Sequence, residues 1–207
     1  PYINVRNSFN SFIPNSISKD LREKLIAFYL VKLEKNPEFQ DKVEFDVLYT
    51  CYDFSFDSRS KELLEFGFTQ DEVNTFKKSL LDLTNNLISN SKKEIEEDLV
   101  EVNKLDRLRN ELSYNKEDDL EVSLNKVKMV LDNCKSYGTL QFSRLARLAF
   151  IGKILLKSLV NKKIINESDY QKFLGSINTV ATEINNDFIL LKKGDLDKNK
   201  FLIKYGH

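Results

Sequence analysis

The sequence is poor in the residues that most catalytic and cofactor motifs are made of: among 207 residues there are one His, six Gly, three Pro, two Cys and no Trp. The single histidine is His207, the last residue. That excludes a His-based triad, a zinc site with more than one imidazole and most histidine general-base schemes. No glycine lies two or three residues from another, so there is no phosphate-cradling loop of the P-loop or dinucleotide type. Cys51 and Cys134 stand far apart, outside any CxxC spacing. Two buried thiols in a reducing compartment are the expectation, and with them a cytoplasmic location. Charge of one sign is lacking as well: 32 Lys plus Arg balance 32 Asp plus Glu, which gives no footprint for nucleic acid or an anionic membrane surface. The longest apolar run, inside Leu145 to Leu156, is interrupted by Arg147 and Lys153 and falls short of the roughly 20 residues that span a bilayer. Neither a nucleic-acid partner nor a membrane is therefore expected.

What is present is helical periodicity. Ser18 can cap a helix running to about Asn36, with Leu21, Leu25, Phe28 and Leu33 near one face and Pro37 beyond its end. Thr69 and Glu72 form a capping box, followed by Phe76, Leu80, Leu83 and Leu87 and then by a seam through Ile95, Leu99, Val102, Leu105, Leu108 and Leu112. A loop at Asn115 to Asp119 leads to a helix carrying Leu120, Leu124, Val127, Leu131 and Cys134, ended by Tyr137 and Gly138. Two long antiparallel helical arms are the expected result. After Ser168 or Asn166 a helix carries Tyr170, Phe173, Ile177, Val180, Ile184 and Phe188 and stops at Gly194; Asp197 caps a short last one. Two stretches read as strands: PYINVR at the start and Val43 to Thr50, where Val43, Phe45, Val47 and Tyr49 alternate. Paired, they make a small ribbon packed on helices. The expectation is thus a mainly α chain: a helical bundle with long antiparallel helices and a small two-stranded β element near the N-terminus. It reads as one domain over residues 1–207, with a strand-bearing subregion 1–60 and a helical body 61–207. Beginning at Pro1, the sequence is expected to be an excised portion of a longer chain.

The stretch from Tyr137 to Lys162 is the centre of this layout. Its leucines and isoleucines cover most of a helix circumference, which predicts a helix buried in the core, while Lys153, Lys157, Asn161 and Ser143 share one polar stripe. Arg144 and Arg147 sit outside that stripe, among Leu140, Ile151, Ile154 and Leu155. Guanidinium groups in such a wall need partners. Either they meet carboxylates of this chain, with Asp46, Asp53 and Glu183 as the candidates, or they await an anionic ligand. Arg6 and Asn10 form a second polar candidate, for which turn hydrogen bonds of Asn7, Ser8 and Asn10 are the plainer account. On these grounds the chain is a binding module before it is an enzyme.

Five phrases in order, PYINVRNSFNSFIP, DKVEFDVLYTCYDFSFD, GTLQFSRLARLAFIGKILLKSLV, INTVATEINNDF and KYGH, resemble the middle region of phosphoenolpyruvate synthase-like phosphotransferases, the group of pyruvate phosphate dikinase-like enzymes, nearest to its glutamine kinase-like branch. The resemblance implies a three-part enzyme: an N-terminal ATP-grasp domain, a middle domain associated with the acceptor, and a C-terminal domain whose histidine carries phosphate between them. It implies ATP and magnesium in the ATP-grasp domain, no cofactor in this fragment, and a small-molecule acceptor, an amino acid such as glutamine among the options. The family's carrier histidine lies in a Gly-rich Thr-Ser-His segment, which is not in this sequence, and His207 matches a different phrase. The fragment is therefore expected to be catalytically incomplete alone. Since arginine forks suit phosphate and carboxylate, the resemblance gives substrate contact for Arg144 and Arg147 the same weight as pairing with carboxylates. The alternative is a helical scaffold or regulatory module without a small-molecule ligand.

Overall fold

The computed structural model describes residues 4–112 and 119–206. Among them every regular element is helical: α1 (Val5–Asn10), α2 (Lys19–Lys35), α3 (Phe56–Arg59), α4 (Lys61–Glu65), α5 (Gln70–Asn110), α6 (Leu120–Cys134), α7 (Leu140–Asn161), α8 (Glu167–Ser176), α9 (Val180–Lys193) and α10 (Lys198–Tyr205). The mainly α expectation holds. No helix among the described residues is long and apolar enough to cross a membrane.

The expected β ribbon is not found there. Residues 1–3 lie outside the described residues, and Val5 onward is helix, capped by the Asn4 side chain on the Asn7 N–H at 3.1 Å. Val43–Val47 forms one wide π turn, and the backbone becomes extended only at Leu48. Alternation misled because Val47, Leu48, Tyr49, Thr50 and Cys51 are all buried. A stretch wrapped in helices on all sides has no polar face to alternate with.

The chain divides into two compact units, Pro1–Leu159 and Val160–His207. The first is built on an aromatic core. Phe9, Leu25, Phe28, Tyr29, Tyr49, Phe56, Leu63, Phe76 and Leu80 are at most 5% exposed. Their rings meet edge-on or tilted, as between Tyr49 and Phe76 with centroids 5.7 Å apart, which is the arrangement ring quadrupoles favour. The Tyr29 hydroxyl accepts from the Tyr49 N–H at 3.4 Å, and burial pushes both phenols well above the ordinary tyrosine range.

Local signals set the helix ends. Ser18 Oγ accepts from the Leu21 N–H, and Pro37 follows the C-cap Asn36. At the end of α4, Gly67 adopts φ +102°. There the Phe68 N–H reaches the Leu63 carbonyl and the Gly67 N–H reaches that of Leu64, the double bond of a left-handed helix stop that glycine makes without strain. The Thr69–Glu72 capping box then starts α5, with both reciprocal bonds made. Lys24 donates to Glu72 at 2.6 Å and to the Gly67 carbonyl at 3.0 Å, clamping α2 onto that corner.

Helix α5 runs for 41 residues. Its first turns complete the aromatic core through Val73, Phe76 and Leu80. Its later turns pack against α6 and α7, which return antiparallel to it: Val102 and Leu105 line a pocket with Val130 and Cys134, and Asp98 pairs with Arg144. A π turn at Lys135–Thr139 joins α6 to α7, in place of the helix end that Tyr137 and Gly138 predict. Gly138 sits so close to α5 that a Cβ there would lie 2.9 Å from Leu105 Cδ2. The expected loop at Asn115 to Asp119 lies, apart from Asp119, outside the described residues.

Two expectations about burial are corrected. Helix α7 buries only Gln141, Ile151 and Ser158, while Leu140 is half exposed. Cys51 is buried, but Cys134 is exposed.

In the second unit the single helix expected through Tyr170 and Phe188 is two. Asn166 caps α8 through the Asp169 N–H at 2.8 Å, and Thr179 caps α9 through the Thr182 N–H at 3.2 Å. Asp197 caps α10, which is tied to α9 by Lys204 on Glu183 and Asp187 and by the Tyr205 hydroxyl on Asp187 at 2.7 Å.

Candidate functional site

The first unit has a groove of about 510 Å³ where the end of α1, the π turn at Val43–Val47 and α7 meet. Ser11 and Phe12 form one wall, Glu44 a second, and Phe142, Ser143, Arg144, Ala146, Arg147 and Phe150 the third. Positions 143, 146, 147 and 150 share one helix face by their spacing of three and four. Phe150 is held by an edge-on contact with Phe45 at 5.3 Å, and Lys153 stands over that same ring at 4.3 Å.

The two arginines are fixed differently. Arg147 donates from Nη1 to the Ser11 carbonyl at 3.4 Å and from Nη2 to the Phe12 carbonyl at 3.3 Å, with its guanidinium 5.6 Å from the Phe12 ring centre. These carbonyls lie at the C-terminal end of α1, where helix carbonyls lack intrahelical partners and a cation is favoured. Burial lowers the Arg147 pKa, and its Nε is buried with no hydrogen-bond partner. Arg144 donates from Nη1 to Asp98 Oδ1 at 2.9 Å; its side chain is 49% exposed against 2% for Asp98. One edge of Arg144 therefore neutralises a buried carboxylate on α5, and the rest of its fork opens on the groove.

The structure brings only Arg144 and Arg147 of the sequence candidates to this groove. Asp53, offered as a partner for them, is buried and engaged elsewhere: it accepts from Arg59 Nη1 and from the Ser55 N–H, each at 2.6 Å. Arg59 in turn covers the Tyr49 ring at 4.7 Å, so this pair braces the aromatic core. Asp46 is exposed on the π turn. Glu183 belongs to the second unit and pairs with Lys204. Arg6 is exposed on α1, and Asn10 accepts from Arg22 Nη1 at 3.4 Å, with Arg22 also reaching Pro14 and Asn15. Cys51 is a buried thiol raised to about 12 by burial first and by Asp53 next, a state in which it is no nucleophile.

Asp98 was missed, yet it has a signal. Ile95, Asp98, Val102 and Leu105 are spaced by three, four and three, so one acid among the many of this stretch falls on the inward seam. Gln141, three residues before Arg144 on α7, is 4% exposed and donates to the Ser136 carbonyl at 3.2 Å. Among the described residues no group of three His, Cys, Asp or Glu side chains converges as a metal site would require. Chemically, the groove offers a half-free guanidinium, a carboxylate and three aromatic faces. That set suits binding of a small polar molecule. Comparison with models of protein families, with curated proteins and with solved structures finds no match to this chain.

Proposed function

We propose that the chain is the acceptor-associated helical domain of a phosphoenolpyruvate synthase-like, ATP-dependent phosphotransferase, working beside an ATP-grasp domain and a phosphohistidine domain of its parent chain. The five ordered phrases support the reading, and the groove supplies its most specific element. Arg144 lines that groove with donors left over after Asp98, as a residue that steadies an anionic group on an acceptor would. ATP and magnesium chemistry belongs to the flanking domain in this reading. The residues of this chain bind and orient, and the acceptor is a small molecule such as an amino acid.

The test is thermal shift of the 207-residue chain with glutamine, other amino acids, pyruvate, sugars and inorganic phosphate. A saturable rise in Tm is expected, weakened by Phe142→Ser. Phe142 is 71% exposed on the groove wall, so that variant tests the groove without unfolding it. No shift with any ligand, together with a parent gene lacking an ATP-grasp region, overturns the reading.

A second reading is a helical scaffold without a small-molecule ligand. What favours it is that both arginines already have partners within the chain. In that case Arg144→Ala lowers stability and changes nothing else.

A further inference from the structure

The groove between the end of α1, the π turn at Val43–Val47 and α7 is balanced in charge but divided. Arg144 gives only Nη1 to Asp98, and its side chain is half exposed. Arg147 spends both Nη groups on the carbonyls of Ser11 and Phe12, which are neutral, so its charge meets no carboxylate among the described residues. On another wall Glu44 carries a carboxylate that makes no hydrogen bond or ion pair among the described residues. A plain organic anion would be set against Glu44, and a plain cation against the arginines. A molecule bearing both charges finds a partner for each. The remaining surface is apolar. The hydroxyls of Ser11 and Ser143 already donate to the Ser8 and Thr139 carbonyls at 2.6 Å and 2.8 Å, and no Asn or Gln stands among the described residues that line the groove. An amide side chain of a ligand therefore meets no matching amide and no free hydroxyl proton. A ring, in contrast, meets Phe12, Phe142 and Phe150, and Phe142 is a largely uncovered phenyl group.

We propose that the groove takes a free aromatic amino acid, with its carboxylate on the spare donors of Arg144, its ammonium group on Glu44 and its ring against Phe142 and Phe150. The inference rests on the reading of this groove as the acceptor site and names the chemical class of the acceptor. The planar fork of an arginine matches a carboxylate with two parallel N–H bonds, and Asp98 holds one edge of that fork in place. Arg147, three residues on along α7, adds positive charge beside the carboxylate, while its own Nη groups stay on α1. Phenyl rings meet one another edge-on or offset at a gain beyond the area they bury, which favours a flat apolar body over an aliphatic one of the same size. The space of about 510 Å³ lies within the range of small-molecule sites, on the order of 300–1,000 Å³.

Isothermal titration of the 207-residue chain with phenylalanine is expected to give saturable binding with a Kd at or below about 1 mM. That affinity should be at least about 10-fold tighter than for 3-phenylpropanoate, which lacks the ammonium group, for 2-phenylethylamine, which lacks the carboxylate, and for glutamine, which lacks the ring. Glu44 has no side-chain partner to lose among the described residues, so Glu44→Gln keeps the helical circular dichroism of the unaltered chain. It should erase the advantage of phenylalanine over 3-phenylpropanoate, while 3-phenylpropanoate binds the variant no more weakly than it binds the unaltered chain. Phenylalanine that binds no tighter than 3-phenylpropanoate, or an advantage that survives Glu44→Gln, overturns the inference. Binding of glutamine, pyruvate or inorganic phosphate where phenylalanine does not bind overturns it too and leaves the acceptor groove standing. Silence toward every one of these ligands overturns the inference and the acceptor groove together.

Discussion

Two regions of the first unit differ in the groups that dominate their interiors. Around Tyr29, Tyr49, Phe56 and Phe76 the interior is aromatic and aliphatic, and its polar groups, such as the Tyr29 hydroxyl and the Asp53 carboxylate, are hydrogen-bonded. Farther along α5, where α6 and α7 pack, the buried set shifts toward Asp98, Gln141 and Ser158, and α6 buries no residue at all. The first region is determined by volume and the second by polar pairing. Loss of shape and loss of charge should therefore hurt them in different ways.

The largest expected effect is Phe76→Ala. This ring is 1% exposed and touches both Tyr49 and Phe56, and its removal should cost about 3–5 kcal/mol in chemical denaturation. A loss near 1 kcal/mol would mean that the aromatic region is no tighter than the arm. Next is the pair Arg144 and Asp98. Arg144→Ala strands a buried carboxylate whose Oδ2 already lacks a partner, at about 3 kcal/mol, the lower end for a buried pair because half of Arg144 is exposed. Asp98→Ala leaves an arginine that water can reach and should cost less, and the double variant should recover part of the Arg144→Ala loss. Equal single losses would remove the asymmetry on which the contrast rests. The smallest effect lies at the junction of the two regions. The hydrogen bond from Lys24 first, and then the Thr69 N–H, hold the Glu72 carboxyl below its ordinary pKa. The stability this adds is present above the usual carboxylate value of about 4.3 and is lost as pH falls through the depressed folded value. Glu72→Gln should cost at most about 1 kcal/mol near neutrality and should flatten the fall in Tm below about pH 5.

Helix positions and caps were legible because they depend on neighbours in sequence: Ser18, the Thr69–Glu72 box and Asp197 do what their spacing predicts. Which side each helix turns inward was not. The same helical spacing leads from Leu120 through Cys134 and, by way of Gly138 and Gln141, to Leu145 and Leu148, yet its leucines are exposed on α6, while Leu145 and Leu148 are half-buried on α7. The π turn at Lys135–Thr139 explains the change. It takes up one extra residue, which rotates α7 by about 100° relative to a continuous helix. No side-chain pattern announces such a turn, although Gly138 lies where the Leu105 side chain of α5 leaves no room for a Cβ. The groove was legible in part. Two arginines outside the lysine stripe signalled it, but their partners are one acid hidden among many and two backbone carbonyls, which have no residue code.

Helix α5 belongs to both regions, and this gives it a mechanical character. Its 41 residues make a rod about 60 Å long, gripped over its first turns by Val73, Phe76 and Leu80 and unbroken by glycine or proline over Gln70–Asn110. Beyond Thr84 roughly 40 Å of it project. A tilt of about 5° at the gripped end would displace the far end by roughly 3 Å, by lever geometry over that length. Small shifts of packing near Tyr49 are thus delivered, enlarged, to the place where α5 and α6 meet.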